Sequence, residues 1–306
     1  MQNGFSRREI VAGLCAAKPS LPPKYLYDEF GSRLFELITR LPEYYPTRLE
    51  LGLIAAHAGD IAEAAGRGSA LIDLGAGNCA KARALFPVLR PSKYVAVDIS
   101  ADFLDQALGA IHAAFPDIDT VALAADLSEP IGLPPALDGT RRVFFYPGSS
   151  IGNLDPDDAA ALLRRLHRQC DGAGGLLIGV DLLKDSGTLH AAYNDALGLT
   201  AAFNLNLLNH VNALLGSDFR PADWRHRAFF NPGESRIEMH LDARCEVAVH
   251  WDGAERRFAA GESIHTENSY KFRLDAFEAM LAQAGFRDMR AWTDERGWFA
   301  VCYAAA

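Results

Sequence analysis

The stretch that most constrains this chain is Leu71-Ile-Asp-Leu-Gly-Ala-Gly-Asn-Cys-Ala-Lys81. A short apolar strand runs into a glycine-rich turn and then a helix, the arrangement that binds nucleotide-type cofactors in open α/β sheets. Gly75 and Gly77 let the backbone approach a ligand closely, and the helix N-terminus behind them favours a negative or electron-rich group. Around this stretch, apolar runs at 70–74, 94–97, 120–125, 143–146 and 175–181 alternate with helices expected over 79–90, 101–114 and 156–170. Such alternation predicts a parallel sheet covered on both faces.

After Asp181 the pattern breaks. Residues 186–215 read as helical, with Phe203, Leu207, Leu208, Val211, Leu214 and Leu215 at helical spacing. Arg236–Leu241 and Cys245–Trp251 alternate as strands, with Asp242-Ala243 as the turn of an antiparallel hairpin. A helix over 274–284 and two final runs, Met289–Trp292 and Trp298–Tyr303, turning at Asp294-Glu-Arg-Gly, then restore the first pattern. Five parallel strands followed by a helix and a hairpin match the class I methyltransferase architecture, a Rossmann-like, mainly parallel seven-stranded sheet. Residues 56–183 plus 272–306 are expected to form that domain, and 1–55 plus 184–271 a smaller α+β substrate-binding domain. Near the N-terminus, Thr47 is expected to cap one long helix running through Ile54 to Ile61.

Composition bears on partners. Net charge is −9, so phosphate backbones are repelled and a small molecule is the expected partner, with no nucleic acid. No run approaches the ~18 apolar residues of a membrane span, and Met1–Arg8 are not followed by an apolar stretch with a cleavage site, so a cytoplasmic protein with no membrane partner is expected; separately, a monomer is expected. The five cysteines are widely spaced without a CxxC and read as buried thiols. His240, Cys245 and His250 lack a constrained ligand spacing, so no metal is expected.

The glycine turn alone fits NAD as well as S-adenosylmethionine, and Asp98, ending the next strand, would grip ribose hydroxyls in either case. Asp73 before the first glycine and Asp126 after the third strand favour S-adenosylmethionine, Asp126 meeting the adenine amino group or else making an ordinary turn with Ser128. Phe145-Tyr-Pro-Gly-Ser-Ser-Ile-Gly-Asn153 ends a strand at the carboxyl edge, where ligands of such sheets sit; by composition alone Asn153 there reads as a helix cap or turn residue before Asp155-Pro156.

Taken together, these motifs resemble the histidine-specific Nα-methyltransferases of ergothioneine biosynthesis, which convert L-histidine to its trimethylated betaine, hercynine. The resemblance rests on Leu21–Phe35, Thr39-Arg-Leu-Pro-Glu-Tyr-Tyr-Pro-Thr-Arg48, the glycine loop, Pro147–Asn153, Ala191-Ala-Tyr-Asn-Asp195, Ile237-Glu-Met239 and Thr266-Glu-Asn-Ser-Tyr-Lys-Phe272. It implies S-adenosyl-L-methionine as cofactor, held by Gly75, Gly77, Lys81, Asp98 and Asp126, with Tyr27 near the methyl donor. It further implies that Tyr44, Glu267 and Ser269 hold the imidazole against Met239, that Asn153 and Tyr193 bind the carboxylate, and that Tyr27 and the Gly148 backbone position the α-amine. From the residues alone, Lys81 reads equally as a solvated helix residue, Tyr193 as a surface tyrosine, Met239 as core, and Glu267 with Ser269 as a solvated strand edge. The alternatives are a methyltransferase of another amino acid, such as tryptophan, an NAD-dependent oxidoreductase, and a non-catalytic amino-acid-binding module.

Overall fold

Twelve strands and ten α-helices follow one another along the described chain. The computed structural model describes residues 6–99 and 101–306, with 101–103 described by backbone only. Residues 1–5, on which the targeting expectation partly rests, lie outside the described residues. In chain order the helices are α1 (Arg7–Leu14), α2 (Glu29–Ile38), α3 (Tyr45–Ala56), α4 (Ala58–Ala65), α5 (Ala80–Leu89), α6 (Ala101–Ala114), α7 (Pro156–Gln169), α8 (Ser186–Tyr193), α9 (Leu199–Leu215) and α10 (Leu274–Gln283). The strands are β1 (Ala70–Leu74), β2 (Lys93–Asp98), β3 (Asp119–Ala124), β4 (Arg142–Tyr146), β5 (Gly174–Asp181), β6 (Trp224–Asn231), β7 (Arg236–Ala243), β8 (Val247–Trp251), β9 (Ala254–Phe258), β10 (Ser263–Tyr270), β11 (Arg287–Thr293) and β12 (Phe299–Ala305).

Two compact units result, Pro46–Leu183 with Tyr270–Ala306, and the described residues up to Tyr45 with Lys184–Ser269. The first holds a seven-stranded sheet in the order β11-β12-β5-β4-β1-β2-β3, with β12 antiparallel to both neighbours and the rest parallel. Strand alternation divides its core. Ile72, Val95, Phe144 and Ile178 pack on Leu162 and Leu166 of α7 and Phe277 of α10. Leu71, Tyr94, Phe145 and Leu177 face Ile54 of α3, Ile61 of α4, Phe86 of α5 and Ile111 of α6. Period-two side chains on strands buried on both faces produce the continuous apolar runs seen in the sequence. At ~25 cal/mol per Å2, each fully buried Leu, Ile or Phe contributes ~2 kcal/mol, which is why the sheet is legible from hydropathy.

The second unit contains a three-stranded sheet in the order β10-β7-β6 and a separate β8–β9 ribbon. The expected hairpin across Asp242-Ala243 does not form. β7 pairs antiparallel with β6, and β8 pairs with β9. Asp242 is buried inside β7, where its carboxylate accepts hydrogen bonds from Arg227 Nε (2.8 Å) and Ser263 Oγ (2.7 Å). Alternation marks a strand but carries no information about its partner. Similarly, Thr47 lies inside α3, and the expected single helix breaks at His57, whose ψ of 19° leaves the helical range. The helix expected over 186–215 is divided at Gly198, which is left-handed at φ 71°.

Candidate active site

In the first unit the cofactor loop follows β1. Gly75 and Gly77 have φ of 68° and 51°, a region that costs most other residues strain. The amides of Gly75 and Ala76 donate to the Val97 carbonyl (2.8 and 3.0 Å), and that of Gly77 to Asp98 Oδ2 (2.9 Å). Asp98, expected from the sequence to grip ribose hydroxyls, thus secures the turn. Among the described residues nothing lies within 4 Å of a carbon built as the Cβ of Gly75, so they leave that face of the loop open to a ligand and fit the expected cofactor. Asp126 accepts from both the amide and hydroxyl of Ser128 (2.9 and 2.7 Å), so the turn reading of this residue is realised. Asn153 ends a short 3-10 turn, while Asp155 occupies the N-cap of α7, so of the two local readings Asn153 is a turn residue and not a helix cap.

Behind the loop, Asp73 is buried, with Oδ2 accepting from the Tyr94 hydroxyl (2.7 Å) and Oδ1 lacking a hydrogen-bond partner. Burial pushes its carboxyl from 3.8 up to about 7, with Tyr94 and Lys81 pulling the other way. Between those values the folded chain holds a proton that the unfolded chain has released. Stability from this group therefore falls as pH rises from about 4 to about 7 and levels off above. Asp73→Asn, which cannot ionise, should gain stability relative to the parent across that interval. Urea unfolding at both ends of the interval would measure it, and a pH-independent difference would refute the assignment.

Three polar groups escaped the sequence reading. Glu50 on α3 is fully buried, pairs with Lys81 Nζ at 2.6 Å, and accepts the Gly148 amide at 2.9 Å. Lys81 is therefore neither free in solvent nor simply a cofactor contact, and the Gly148 N–H expected to help position the amine is engaged by Glu50. Asp181, ending β5, pairs at 2.9 Å with Lys271, both side chains being 1% exposed, and its amide donates to Ser149 Oγ. A signal for Glu50 existed: it lies on the Leu53 and Ile54 side of an apolar helix, and an acid there requires a buried partner.

In the second unit, Glu267 and Ser269 of β10 are 6% and 5% exposed, which excludes a solvated edge. The hydroxyl of Tyr193, at the end of α8, donates to Ser269 Oγ at 2.7 Å and is not at the surface. Tyr193 also sets its ring edge-on to Tyr44 at 6.4 Å. Tyr44 continues to Phe35, and Tyr27 packs on Phe35 and Phe203 at 5.6 and 5.4 Å. Met239 is buried on β7, and its carbonyl accepts from Thr266 Oγ1. Thus Tyr44, Tyr193 and Ser269 are brought together, with Tyr27 joined to Tyr44 through Phe35.

Glu238, His240 and His265 bring ligand-type atoms within 4.8 Å of one another. Glu238 Oε1 already accepts from Asn231 and Arg236, and Oε2 faces His240 Nε2 at 3.0 Å. Although burial raises the Glu238 carboxyl, these hydrogen bonds outweigh it and hold it at about 2. The Arg236 guanidinium on the same carboxylate opposes a further cation, so the cluster locks the sheet. Of the other two residues weighed for a metal, Cys245 is exposed and His250 lies between Asp218 and Glu255.

The strand order, with its antiparallel β12 and glycine turn after β1, defines a class I methyltransferase. The CcbJ methyltransferase of Streptomyces caelestis shares this fold at a TM-score of 0.51, with 16% identity over 92% of this chain and all of that one. The family described as histidine-specific, SAM-dependent methyltransferases matches residues 6–306. The histidine N-alpha-methyltransferase of Mycolicibacterium smegmatis is 43% identical, covering 97% of this chain and 94% of its own. That of Mycobacterium tuberculosis is 41% identical, covering 98% and 94%. The chain belongs to the family of histidine-specific, SAM-dependent methyltransferases, and the nicotinamide reading of its loop finds no support.

Proposed function

We propose that the chain methylates the α-amino group of L-histidine three times to give hercynine, with the first unit holding S-adenosylmethionine and the second the imidazole. The observation that carries the substrate choice is the burial of Glu267 and Ser269 on one strand, with Tyr193 on Ser269. A buried carboxylate and hydroxyl suit the two imidazole nitrogens, one a donor and the other an acceptor in the neutral ring. An amino acid without ring N–H groups leaves the carboxylate unmatched, which gives selectivity.

When bound, the cofactor supplies a methyl group on a sulfonium. The chain's contribution is positioning: holding an amine in line replaces a chance encounter by a single oriented step. A strong general base is unnecessary, because an α-amino group has a pKa of about 8 and is partly neutral near pH 7. Asn153 and Tyr193 would fix the carboxylate and Tyr44, Met239, Glu267 and Ser269 the ring, so recognition falls on parts that do not change as the amine is methylated. Tyr27 and the Gly148 backbone would then orient an amine free to turn between transfers. Lys81, Asp98 and Asp126 would complete the cofactor contacts begun by Gly75 and Gly77.

Mass spectrometry of the protein with S-adenosylmethionine and each proteinogenic amino acid tests this reading. A gain of three methyl groups on histidine alone is the expected result. Methylation of another amino acid would overturn the imidazole assignment while retaining the cofactor.

A further inference from the structure

Glu50 lies outside every motif that carries the family resemblance, yet it is the most completely enclosed acid near the cofactor loop, 0% exposed. Its carboxylate joins three segments of the first unit. It pairs with Lys81 Nζ at 2.6 Å, in the first turn of the helix that follows the glycine loop. It accepts the Gly148 amide with both oxygens at 2.9 Å, in the turn after β4. The central strand β5 makes room for it: a Cβ on Gly179 would stand 1.9 Å from Glu50 Oε1. Lys81 also reaches the Gly148 turn, since a Cβ on Gly148 would lie 3.1 Å from its Nζ. Lys81, Asp98 and Glu50 all bear electrostatically on the Asp73 carboxyl behind the loop.

We propose that Glu50 is a positioning residue for cofactor binding: it neutralises Lys81 and ties the start of α5 to the Gly148 turn, so that the loop accepts a sulfonium. The inference rests on S-adenosylmethionine being the ligand of the first unit. Lys81 can contact the carboxylate end of the cofactor, but an uncompensated ammonium there also repels its sulfonium, and in a buried environment that repulsion is weakly screened. Glu50 cancels this charge from the side of α3 without exposing a carboxylate to solvent. The same hydrogen bonds hold the Gly148 backbone in place, so one buried acid sets the relative position of the two cofactor-side turns.

The test is calorimetric binding of S-adenosylmethionine to the full chain, with the unfolding midpoint measured alongside. Glu50→Gln is nearly isosteric, keeps an acceptor for Gly148 and removes the charge. Gly179→Ala displaces the carboxylate from the opposite side and leaves Glu50, Lys81 and Gly148 in the sequence. Both should raise Kd about ten- to hundredfold, the range for loss of a charge-assisted hydrogen bond. Gly175→Ala, whose Cβ would meet the Ala304 carbonyl at 2.3 Å in the same strand, is the control for a merely structural effect. It should lower the unfolding midpoint and leave Kd unchanged. A Glu50→Gln chain with parental Kd, or a Gly175→Ala chain weakened as much as Gly179→Ala, overturns the proposal; if Glu50→Gln does not fold, the two glycine variants decide. Absence of binding by the parent chain would refute the cofactor assignment itself.

Discussion

Glu267→Ala is expected to lower kcat/KM for histidine by about 10^3-fold while leaving the Kd of S-adenosylmethionine within about twofold of the parent. The carboxylate is 6% exposed, on the same strand as Ser269 and in the unit that lacks the glycine loop. Its removal takes away the partner of an imidazole N–H in a buried setting, where an unmatched polar group costs about 1–3 kcal/mol and a charged contact more. Glu267→Gln, which retains an acceptor without the charge, should fall between the two. Steady-state kinetics with histidine and calorimetry with the cofactor separate the effects. A Glu267→Ala enzyme within about tenfold of the parent would remove Glu267 from the ring pocket.

The second large effect concerns stability. Lys271→Met should destabilise the folded chain by about 3–5 kcal/mol, because the Asp181 carboxylate, 2.9 Å away, loses its cation in an environment from which water is excluded. Adding Asp181→Asn to Lys271→Met should recover much of this loss, since a neutral buried pair avoids the charge imbalance. Urea unfolding of the two single variants and the double variant measures the coupling. A single variant destabilised by less than about 1 kcal/mol would show that the pair contributes little. The same lysine follows Tyr270, and Phe272 donates its amide to the Asp181 carbonyl (2.9 Å), so the pair also pins the chain where it rejoins the large sheet.

Legibility in the sequence varied with the physics involved. β1 and α6 occupy the residues expected, and β2 to β5 differ by a residue at their ends; β1, β4 and β5 are buried along their whole length and leave unbroken apolar runs. The glycine turn was readable because left-handed backbone favours one residue type, and both glycines adopt it. β6 was missed since Trp224–Asn231 mixes Arg225, His226 and Arg227 with apolar residues, and their partners come from distant chain: Asp242 of β7 for both arginines, Ser263 of β10 for Arg227, and Asn204 and the Tyr193 carbonyl for His226. Glu267 and Ser269 were legible only through resemblance; taken by residue type, Thr-Glu-Asn-Ser reads as a solvated edge.

Local sequence by itself determined the Rossmann-like sheet, its hairpin ending and the cofactor turn, since each depends on neighbours in the chain: period-two burial, glycine conformation and strand-to-helix order. Tertiary structure alone decided which polar groups meet. Glu50 reaches Lys81 and Gly148 across 31 and 98 positions of chain, Asp181 finds Lys271, and Tyr193 finds Ser269 76 residues away. A buried charge or hydroxyl is tolerable only when its partner arrives, and no periodicity records a partner so distant.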